Sequence, residues 1–362
     1  MLPLPDSGRF GDVMREHAGQ FDLVYLHRVE SAMSCLRLAR QYFDAQIVYS
    51  VADLHHARLK AQSEVATDHS SELMQQARWF AIQELTAACA ADCIITHSAA
   101  EGDQLQQIPN IKAEHKVRVV PWTVPVAPVQ RPFAQRSGLA FIGGFGHAPN
   151  ADAARWLVGD VMPLVWRDVP DITCLLIGGD MPADLRRQLE RPGVDVLGRV
   201  DRLAAVFDRV RLTVAPLRFG AGLKDKVLRS MGAGLPCIGT PEAFKGMHEL
   251  PPAITRNCQR GTAVEFAQAI VRMHEEEAAN AACARTGLMY VSTFYSQSRI
   301  DALIQEMAQP ALDGYRVRRR ARSGCLILNF DDTHRSWSAA PSTQAEFPVR
   351  RVVFTQLQQG RG

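Results

Sequence analysis

Glycine residues follow three apolar runs in the second half of the sequence, in a pattern suited to binding an anion. They stand at residues 143–144, at 178–179, and at 220 and 222 on either side of an alanine. The last group precedes Lys224 and Lys226, which fall at the start of a helix predicted over 223–234. Glycine lets the backbone approach a ligand closely, and a helix N-terminus offers free N–H groups and partial positive charge. Two lysines at that end oppose the helix dipole, and a bound anion such as a diphosphate would offset the repulsion.

The same segment has a second interpretation, in which a plain turn is followed by a solvated lysine face. The combination of Gly220, Gly222, Lys224 and Lys226 favours anion binding over that reading. His147 lies in the loop after the first glycine group, where it either contacts phosphate or sugar or has no ligand role.

Several other chemistries lack their motifs. The sequence has no G-x-G-x-x-G after a relevant strand, no G-x-x-x-x-G-K-[ST] and no G-x-S-x-G. Its eight cysteines show no metal-ligand or disulfide spacing, so we expect free thiols in a reducing compartment. No D-x-D cluster offers ligands for a divalent ion, since the pair Asp331-Asp332 lies in the predicted tail. We therefore expect neither a metal nor another cofactor.

The composition is that of an ordinary globular protein with two domains. Of 362 residues, 47% are hydrophobic and 22% charged, which argues against disorder over most of the length. The formal net charge of +3 is too small to indicate a nucleic-acid partner. No apolar run is long enough for a membrane helix, and MLPLPDSGRF lacks the pattern of a secretory signal. These features predict a cytoplasmic protein.

Short apolar runs alternate with helical patterns along residues 21–122 and again along 139–245. This alternation predicts an α/β fold with parallel sheets covered by helices. A proline-rich stretch separates the two series and reads as a linker. The predicted organisation is a first domain over 1–125, a linker over 126–138, a second domain over 139–294, a helix over 295–310 and a poorly ordered tail over 311–362.

Specific segments of the second half resemble a known family. The runs FIGGFGHAPNADAARWL, LLIGGD, VLGRVDRLAAVF and VAPLRFGAGLKDKVLRSMGAGLPCIGT resemble the nucleotide-binding domain of a retaining family 4 glycosyltransferase of the GT-B fold. FDLVYLHR, YSVADLHHAR, ADCIITHS and KVRVVPW are similar, more loosely, to its acceptor-side domain, and YSQSRIDALIQEM resembles the helix that crosses back. The resemblance implies two Rossmann-like domains facing a cleft that holds a nucleotide-sugar.

The resemblance also implies a donor site carried mainly by the second domain. Backbone N–H groups and two lysines would contact the diphosphate, at Gly143, Gly144, Gly220, Gly222, Lys224 and Lys226. The base would stack near the turn Gly198-Arg199-Val200, so Arg199 is a further candidate. The implied partners are the nucleotide-sugar and a glycan or lipid-linked acceptor.

Two departures from the family pattern concern charged positions. Around the last glycine segment the family commonly carries two glutamates, and Ala221 and Arg229 stand there instead. The second glutamate normally contacts the ribose of the donor, so Arg229 occupies a donor-binding position with the opposite charge. Another frequent glutamate is replaced by Lys245.

The first domain departs as well. Many family members close the strand equivalent to IVYSVA with a histidine, and this position is Ala52 here. Asp53, His55 and His56 follow it directly and are the candidate catalytic residues, His55 or His56 entering the cleft. The alternative is a histidine pair on a loop with a structural or merely solvated role.

Both ends of the sequence are unusual for the family. The first clear strand begins only at Phe21, which predicts a shortened first domain with an exposed edge strand able to favour association with a partner. Near the other end lies a basic run that would either contact anionic lipid head groups or form a solvated tail; it comprises Arg316, Arg318, Arg319, Arg320 and Arg322. The oligomeric state has no signal in the sequence.

The leading hypothesis is a glycosyltransferase that moves a sugar from a nucleoside diphosphate to an unknown acceptor, with retention. The second is a catalytically impaired module of the same fold that binds a nucleotide-sugar or a protein. A different two-domain enzyme of the fold, such as a sugar epimerase, is the third.

Overall fold

A computed structural model of the chain describes residues 2–3, 10–21, 23–66, 68–111, 116–316, 325–331 and 336–341. These residues form two compact units. The first contains the described residues up to Ser63, then His69–Pro121 and the described residues from Asp301 onward. The second contains Trp122–Ile300, with the short stretch Glu64–Asp68 grouped with it. The candidate linker and the start of the last long helix thus belong to the second unit.

The strands of the described residues are β1 (Leu2–Pro3), β2 (Leu23–His27), β3 (Gln46–Val51), β4 (Cys93–Thr96), β5 (Val117–Val119), β6 (Leu139–Ile142), β7 (Cys174–Ile177), β8 (Val194–Gly198), β9 (Leu212–Ala215), β10 (Cys237–Gly239), β11 (Cys325–Asp331) and β12 (Ser336–Pro341).

The α-helices of the described residues are α1 (Phe10–Glu16), α2 (Arg28–Tyr42), α3 (His55–Val65), α4 (Ser70–Ala90), α5 (Ala99–Gln106), α6 (Ala148–Trp156), α7 (Met162–Asp168), α8 (Ala183–Leu189), α9 (Leu203–Phe207), α10 (Asp225–Gly232), α11 (Pro241–Phe244), α12 (Pro252–Cys258), α13 (Ala263–Glu275), α14 (Glu277–Phe294) and α15 (Gln297–Arg316).

The first unit contains a seven-stranded sheet in the order β1-β12-β11-β2-β3-β4-β5. Strands β11, β2, β3, β4 and β5 are parallel, and β12 returns antiparallel to β11. Alternate residues of the central strands, including Val24, Leu26, Ile47 and Ile94, are buried under helices in one apolar core. The predicted parallel sheet covered by helices is therefore present in this unit.

Two expectations about the end of the chain differ from the structure. Residues 325–331, predicted to belong to a poorly ordered tail, form β11, which pairs in parallel with β2 from Cys325↔Leu23 to Asn329↔His27. Strand β2 is therefore internal to the sheet and not the predicted exposed edge. The pairing joins segments about three hundred residues apart, which local periodicity does not report. The basic residues at 318–322 lie outside the described residues.

The second unit contains a five-stranded parallel sheet in the order β10-β9-β6-β7-β8. Its strands other than the edge strand β8 are buried on both faces: Leu139 and Phe141 point into one core, and Ala140 into the other. This burial explains why those strands are nearly continuous apolar runs in the sequence. The chain leaves β6 toward β7 on one side and later returns to β9 on the other. The carboxyl ends of β6 and β9 therefore form the topological switch point, where doubly wound sheets bind ligands.

Local details of the second unit concern α6 and the predicted linker. Helix α6 begins at Ala148, with His147 at the N-cap. A π-helical turn at Leu157–Val161 joins α6 to α7. In the proline-rich stretch, Ala127 and Val129 donate backbone hydrogen bonds to the carbonyls of Gly232 and Ala233. That part of the predicted linker is thus held against the end of α10.

Candidate functional site

The first candidate site lies at the switch point of the second sheet. We call it the lysine cluster and define it as Gly143, Asn150, Gly220, Lys224, Lys226 and Glu242. Gly143 directly follows β6, and the loop carrying Gly220 follows β9. Since β6 and β9 are paired neighbours running in the same direction, their carboxyl ends meet at one edge of the sheet. Helix α10 then begins at Asp225, between the two lysines in sequence.

Lys226 reaches across to the glycine loop after β6. Its Nζ donates to Asn150 Oδ1 at 2.5 Å, and Asn150 Nδ2 donates to the carbonyl of Gly144 at 2.8 Å. A Cβ added at Gly143 would fall 2.8 Å from Asn150 Cγ and 2.9 Å from Lys226 Nζ. Glycine is therefore required for this ammonium to lie against the backbone of the loop. Asn150 thus positions both the lysine and the loop.

The environment of Lys226 disfavours its charged form. Burial lowers the pKa of its ammonium from 10.5 to about 7, and the neighbouring Lys224 adds a smaller lowering. The Nζ lies 4.8 Å from the centroid of the Phe141 ring, a weakly stabilising cation–π contact. An anion bound beside this ammonium would favour its protonated form. The position is thus one where ligand charge and protein charge are coupled.

Lys224 is held differently. Its Nζ donates to the carbonyl oxygens of Gly222 at 2.8 Å and Ala221 at 3.1 Å, and lies 3.6 Å from Glu242 Oε1. A Cβ at Gly220 would come within 3.2 Å of Lys224 Cε. The side chain therefore folds over the glycine turn that precedes it and fixes that turn. Glu242, which the sequence analysis did not single out, also lies 3.5 Å from Lys245.

Two arginines near the lysine cluster are engaged in ion pairs. Arg218 forms a two-point pair with Asp152 on α6, with Nε 2.8 Å from Oδ2. Arg229 is exposed and pairs with Asp225 one turn earlier on α10. The Arg229 guanidinium stands where the resembling family commonly has a glutamate, and a carboxylate of its own helix neutralises it. Its role toward a donor stays a prediction.

The remaining donor candidates lie on neighbouring loops. His147 is exposed at the start of α6, with its backbone N–H on the Gly144 carbonyl at 3.2 Å. Gly178, after β7, has φ +147, and a Cβ there would fall 1.8 Å from the carbonyl oxygen of Gly143. Gly178 also donates to the carbonyl of Gly198, which precedes the exposed Arg199. The loops after β6, β7 and β8 are thus knitted together through glycine backbone.

The second candidate site lies in the first unit, and we call it the histidine cluster: His27, Ser50, Asp53, His55, His56 and His97. Asp53 Oδ1 lies 3.3 Å from His55 Nε2, and its Oδ2 accepts from Arg58 Nε at 3.0 Å. Burial acts to raise the pKa of Asp53, but His55 and Arg58 prevail and hold it well below its ordinary value. The pKa of His55 is raised, because Asp53 and Glu30 outweigh its burial. Asp53 is therefore ionised, and its contact favours the protonated form of His55.

His56 belongs to a different contact. Its Nδ1 lies 2.5 Å from Glu84 Oε2 on α4, while Glu84 Oε1 accepts from the backbone N–H of His55 at 2.7 Å. Buried Glu84 thereby caps the start of α3. The three predicted catalytic residues are adjacent in sequence, but Asp53 pairs with His55 while His56 pairs with Glu84. Glu84 was not predicted, and only its position in a long helix signalled it.

Three further residues of the histidine cluster end parallel strands and were not predicted as a group. His27 closes β2 and its Nδ1 lies 3.1 Å from the hydroxyl of Ser50 in β3. His97 follows β4 and its Nδ1 lies 2.7 Å from the carbonyl of Val120. Burial lowers the pKa of His27 to about 3 and that of His97 to about 4, so both imidazoles are neutral near pH 7. The shared signal is a polar residue at the end of each successive strand.

Comparison with known proteins assigns the second unit to a family. Residues 136–276 match the family described as "Glycosyl transferases group 1", and this matched range contains the whole lysine cluster. With the two parallel sheets, this match establishes the class: the chain carries a group 1 glycosyltransferase domain and has the GT-B fold. The predicted α/β fold and the predicted glycosyltransferase class are confirmed at this level.

Solved structures show the same fold over most of the chain. Sucrose-phosphate synthase from Thermosynechococcus elongatus matches with a TM-score of 0.65 and 19% identity, covering 86% of this chain and 78% of that one. HepE from Anabaena, solved with UDP and glucose, gives 0.62 and 13%, covering 84% and 80%. Trehalose 6-phosphate synthase from Burkholderia multivorans gives 0.60 and 10%, covering 87% and 76%. Identities this low establish the fold and not the substrate.

A comparison with curated protein sequences finds no significant match. Within the described ranges, no helix has the length and apolar character needed to cross a membrane. The same residues include no group of three or more histidine, cysteine, aspartate or glutamate side chains arranged to hold a metal ion.

Proposed function

We propose that the protein transfers a glycosyl group from a nucleoside-diphosphate sugar to an acceptor, with retention of configuration at the anomeric carbon. The observation that carries the proposal is the Lys226 ammonium, 2.5 Å from Asn150 Oδ1 and against the backbone of Gly143 at the switch point of the second sheet. A half-buried cation at the carboxyl ends of parallel strands suits a diphosphate.

The lysine cluster supplies what departure of a nucleoside diphosphate requires. Negative charge builds on the leaving oxygen as the glycosidic bond breaks, and fixed cations and dipoles aimed at it lower the barrier. Lys226, the N-terminus of α10 and the backbone N–H groups of the two glycine loops provide that charge. We expect turnover to survive chelation of divalent ions, since these groups would supply the charge at the proposed phosphate position.

The donor class follows from chemistry and from a structural neighbour. The lysine cluster recognises the diphosphate, which all nucleotide-sugars share, so it does not select the base. HepE, of the same fold, was solved with UDP and with UDP-glucose, which makes UDP-sugars the first donors to test. The anomeric coupling of the product, measured by NMR, distinguishes retention from inversion.

The histidine cluster is the proposed acceptor-side site. Asp53 is ionised and paired, while His27 and His97 are neutral, so the cluster offers both a carboxylate and uncharged hydrogen-bonding groups. Such groups suit the hydroxyls of a glycan or a lipid-linked sugar. Asp53, His55 and His56 remain the proposed catalytic residues, with Asp53 and His55 the pair best arranged for proton transfer.

Titration of the purified chain with UDP, GDP and dTDP tests the donor site. We expect K226M to weaken binding of the preferred diphosphate by about 1.5–3 kcal/mol, because it removes a charge-assisted contact. K60M removes an exposed lysine of α3 in the other unit and is the matched control. Equal affinities of K226M and the parent would overturn the assignment of the phosphate site.

A module that binds nucleotide-sugar without turnover is the second candidate. The observation favouring it is Arg229 itself, which stands where the resemblance places a ribose-contacting glutamate. Its guanidinium pairs with Asp225 on the same helix. Donor hydrolysis, measured over a panel of nucleotide-sugars beside thermal shift with the diphosphates, separates the two. A stabilising shift without any turnover selects the module, and turnover selects the transferase.

A further inference from the structure

Two buried cysteines of the second unit lie in direct contact. Cys258 is the last residue of α12, and Cys283 lies in α14. Their Sγ atoms are 3.0 Å apart, and both side chains belong to the main apolar core of the unit. Cys258 is fully buried, whereas 6% of Cys283 is exposed. The pair was not predicted from the sequence, because the two positions are 25 residues apart.

The contact is close to the geometry of a covalent bond. A disulfide has an S–S distance of about 2.05 Å, so an approach of about 1 Å between the two helices' side chains would form one. The helices already contact each other and the sheet: Gln259, next to Cys258, forms a parallel bridge with Gly239 of β10. Bond formation therefore calls for a short approach of two sulfurs on helices that already contact each other.

We propose that Cys258 and Cys283 are a redox-active pair that hydrogen peroxide oxidises to an intramolecular disulfide. The sulfur of Cys283, the more accessible of the two, attacks one peroxide oxygen; the O–O bond breaks, giving a sulfenic acid at Cys283 and water. The sulfur of Cys258 then attacks the sulfenic sulfur, the S–O bond breaks and a second water leaves. The two thiols lose two electrons and two protons, and the peroxide is reduced.

The hydrogen bond between the thiols supports this order of events. It lowers the pKa of Cys283 and raises that of Cys258, consistent with Cys258 as donor and Cys283 as acceptor. The thiolate is the nucleophilic form, so Cys283 is the first to react. By contrast, burial raises the pKa of Cys174, elsewhere in the core, to about 12, which makes that thiol inert.

The disulfide has a measurable consequence for the second unit. It would close a loop between α12 and α14, which restricts the unfolded chain and stabilises the folded one. We expect oxidised protein to unfold several degrees higher than reduced protein, and the shift to reverse with dithiothreitol.

The experiment treats the full chain with hydrogen peroxide and maps its peptides without reductant. We expect a cross-linked peptide pair joining Cys258 to Cys283. In C258S we expect a sulfenic acid at Cys283 that dimedone traps, and in C283S no dimedone adduct at Cys258. C89S removes an exposed cysteine and should leave the cross-link unchanged.

Three outcomes would overturn the proposal. The first is oxidation of Cys89 with no cross-link in folded parent protein. The second is a cross-link that appears only in urea, which would assign it to the unfolded chain. The third is a C258S protein, folded by its thermal transition, whose Cys283 gives no dimedone adduct.

Discussion

The two candidate sites occupy the same kind of position, the carboxyl edge of a parallel sheet, yet their electrostatics are opposite. The lysine cluster brings two ammonium groups together, and burial lowers the pKa of Lys226 to about 7. The histidine cluster holds an ionised Asp53 together with two neutral imidazoles. His27 closes β2 and His97 follows β4, at the same edge of the first sheet. We propose that the first arrangement binds an anion and that the second serves hydroxyl groups and proton transfer. The difference comes from the side chains that end the strands of each sheet.

The largest expected effect separates chemistry from binding. D53N should lower kcat about a hundredfold, because it removes the ionised partner of His55, while leaving the affinity for a nucleoside diphosphate unchanged. Steady-state kinetics and calorimetry on the same preparation check both halves. D68N, on an exposed position, is the control. Loss of diphosphate affinity in D53N would show that the two clusters do not act as separate sites.

The next effect concerns the glycine beneath Lys226. G143A should weaken diphosphate binding at least tenfold, about 1.4 kcal/mol, since its Cβ would fall within 3 Å of Asn150 and Lys226. G179A is the matched control, because nothing lies within 4 Å of a Cβ there. Calorimetric titration measures both. A G143A protein that binds like G179A would contradict the position assigned to the ammonium.

The pH dependence of binding distinguishes the lysine cluster from a site with a permanently charged cation. Free Lys226 loses its proton above about pH 7, so a diphosphate must bind together with a proton. Affinity should therefore fall by up to about tenfold from pH 7 to pH 8. Calorimetry in buffers of different ionisation enthalpy should show proton uptake, and K226M should abolish it. A flat profile in the parent chain would contradict the coupling.

Lys226 also bears on stability, with a definite sign. Its folded pKa lies below its unfolded value near 10.5, so between about pH 7 and 10.5 the unfolded chain binds more protons. The contribution of this residue to the free energy of unfolding consequently rises with pH across that window. K226M should be more stable than the parent at pH 7 and lose part of that advantage at pH 9.

The histidine cluster should make stability sensitive to acid. Burial holds the pKa of His97 at about 4, below its unfolded value of 6.5, so the unfolded chain gains protons first as the pH falls. The stability present above pH 6.5 should decline by about 1.4 kcal/mol per pH unit as the pH drops toward 4. Urea denaturation of parent and H97Q at pH 7 and 5.5 measures this. An equal decline in both proteins would assign the acid sensitivity to other groups.

The sequence predicted those features that are local in the chain. Strand-helix alternation, the glycine loops and Lys224 and Lys226 are all readable within short windows, and the lysines do lie at the switch point. Contacts between distant segments were not readable. Asn150 meets Lys226 across 76 residues and Glu84 meets His56 across 28, and neither pairing leaves a periodic trace.

The same limit explains the error about the end of the chain. The segment that forms β11 was expected to belong to a poorly ordered tail, because an isolated apolar run has no pairing neighbour close in sequence. Its partner β2 lies near the other end, and only the folded sheet brings them into register.

The pairing of β11 with β2 also sets the order in which the two units can fold during synthesis. The second unit is nearly continuous in sequence, so it can fold as soon as Ile300 has left the ribosome. The first unit must wait for β11, with β2 unpaired on that side while nearly three hundred further residues are synthesised. In a nascent chain stalled before Cys325, the glycosyltransferase domain should therefore resist proteolysis, and β2 should be accessible to chaperones.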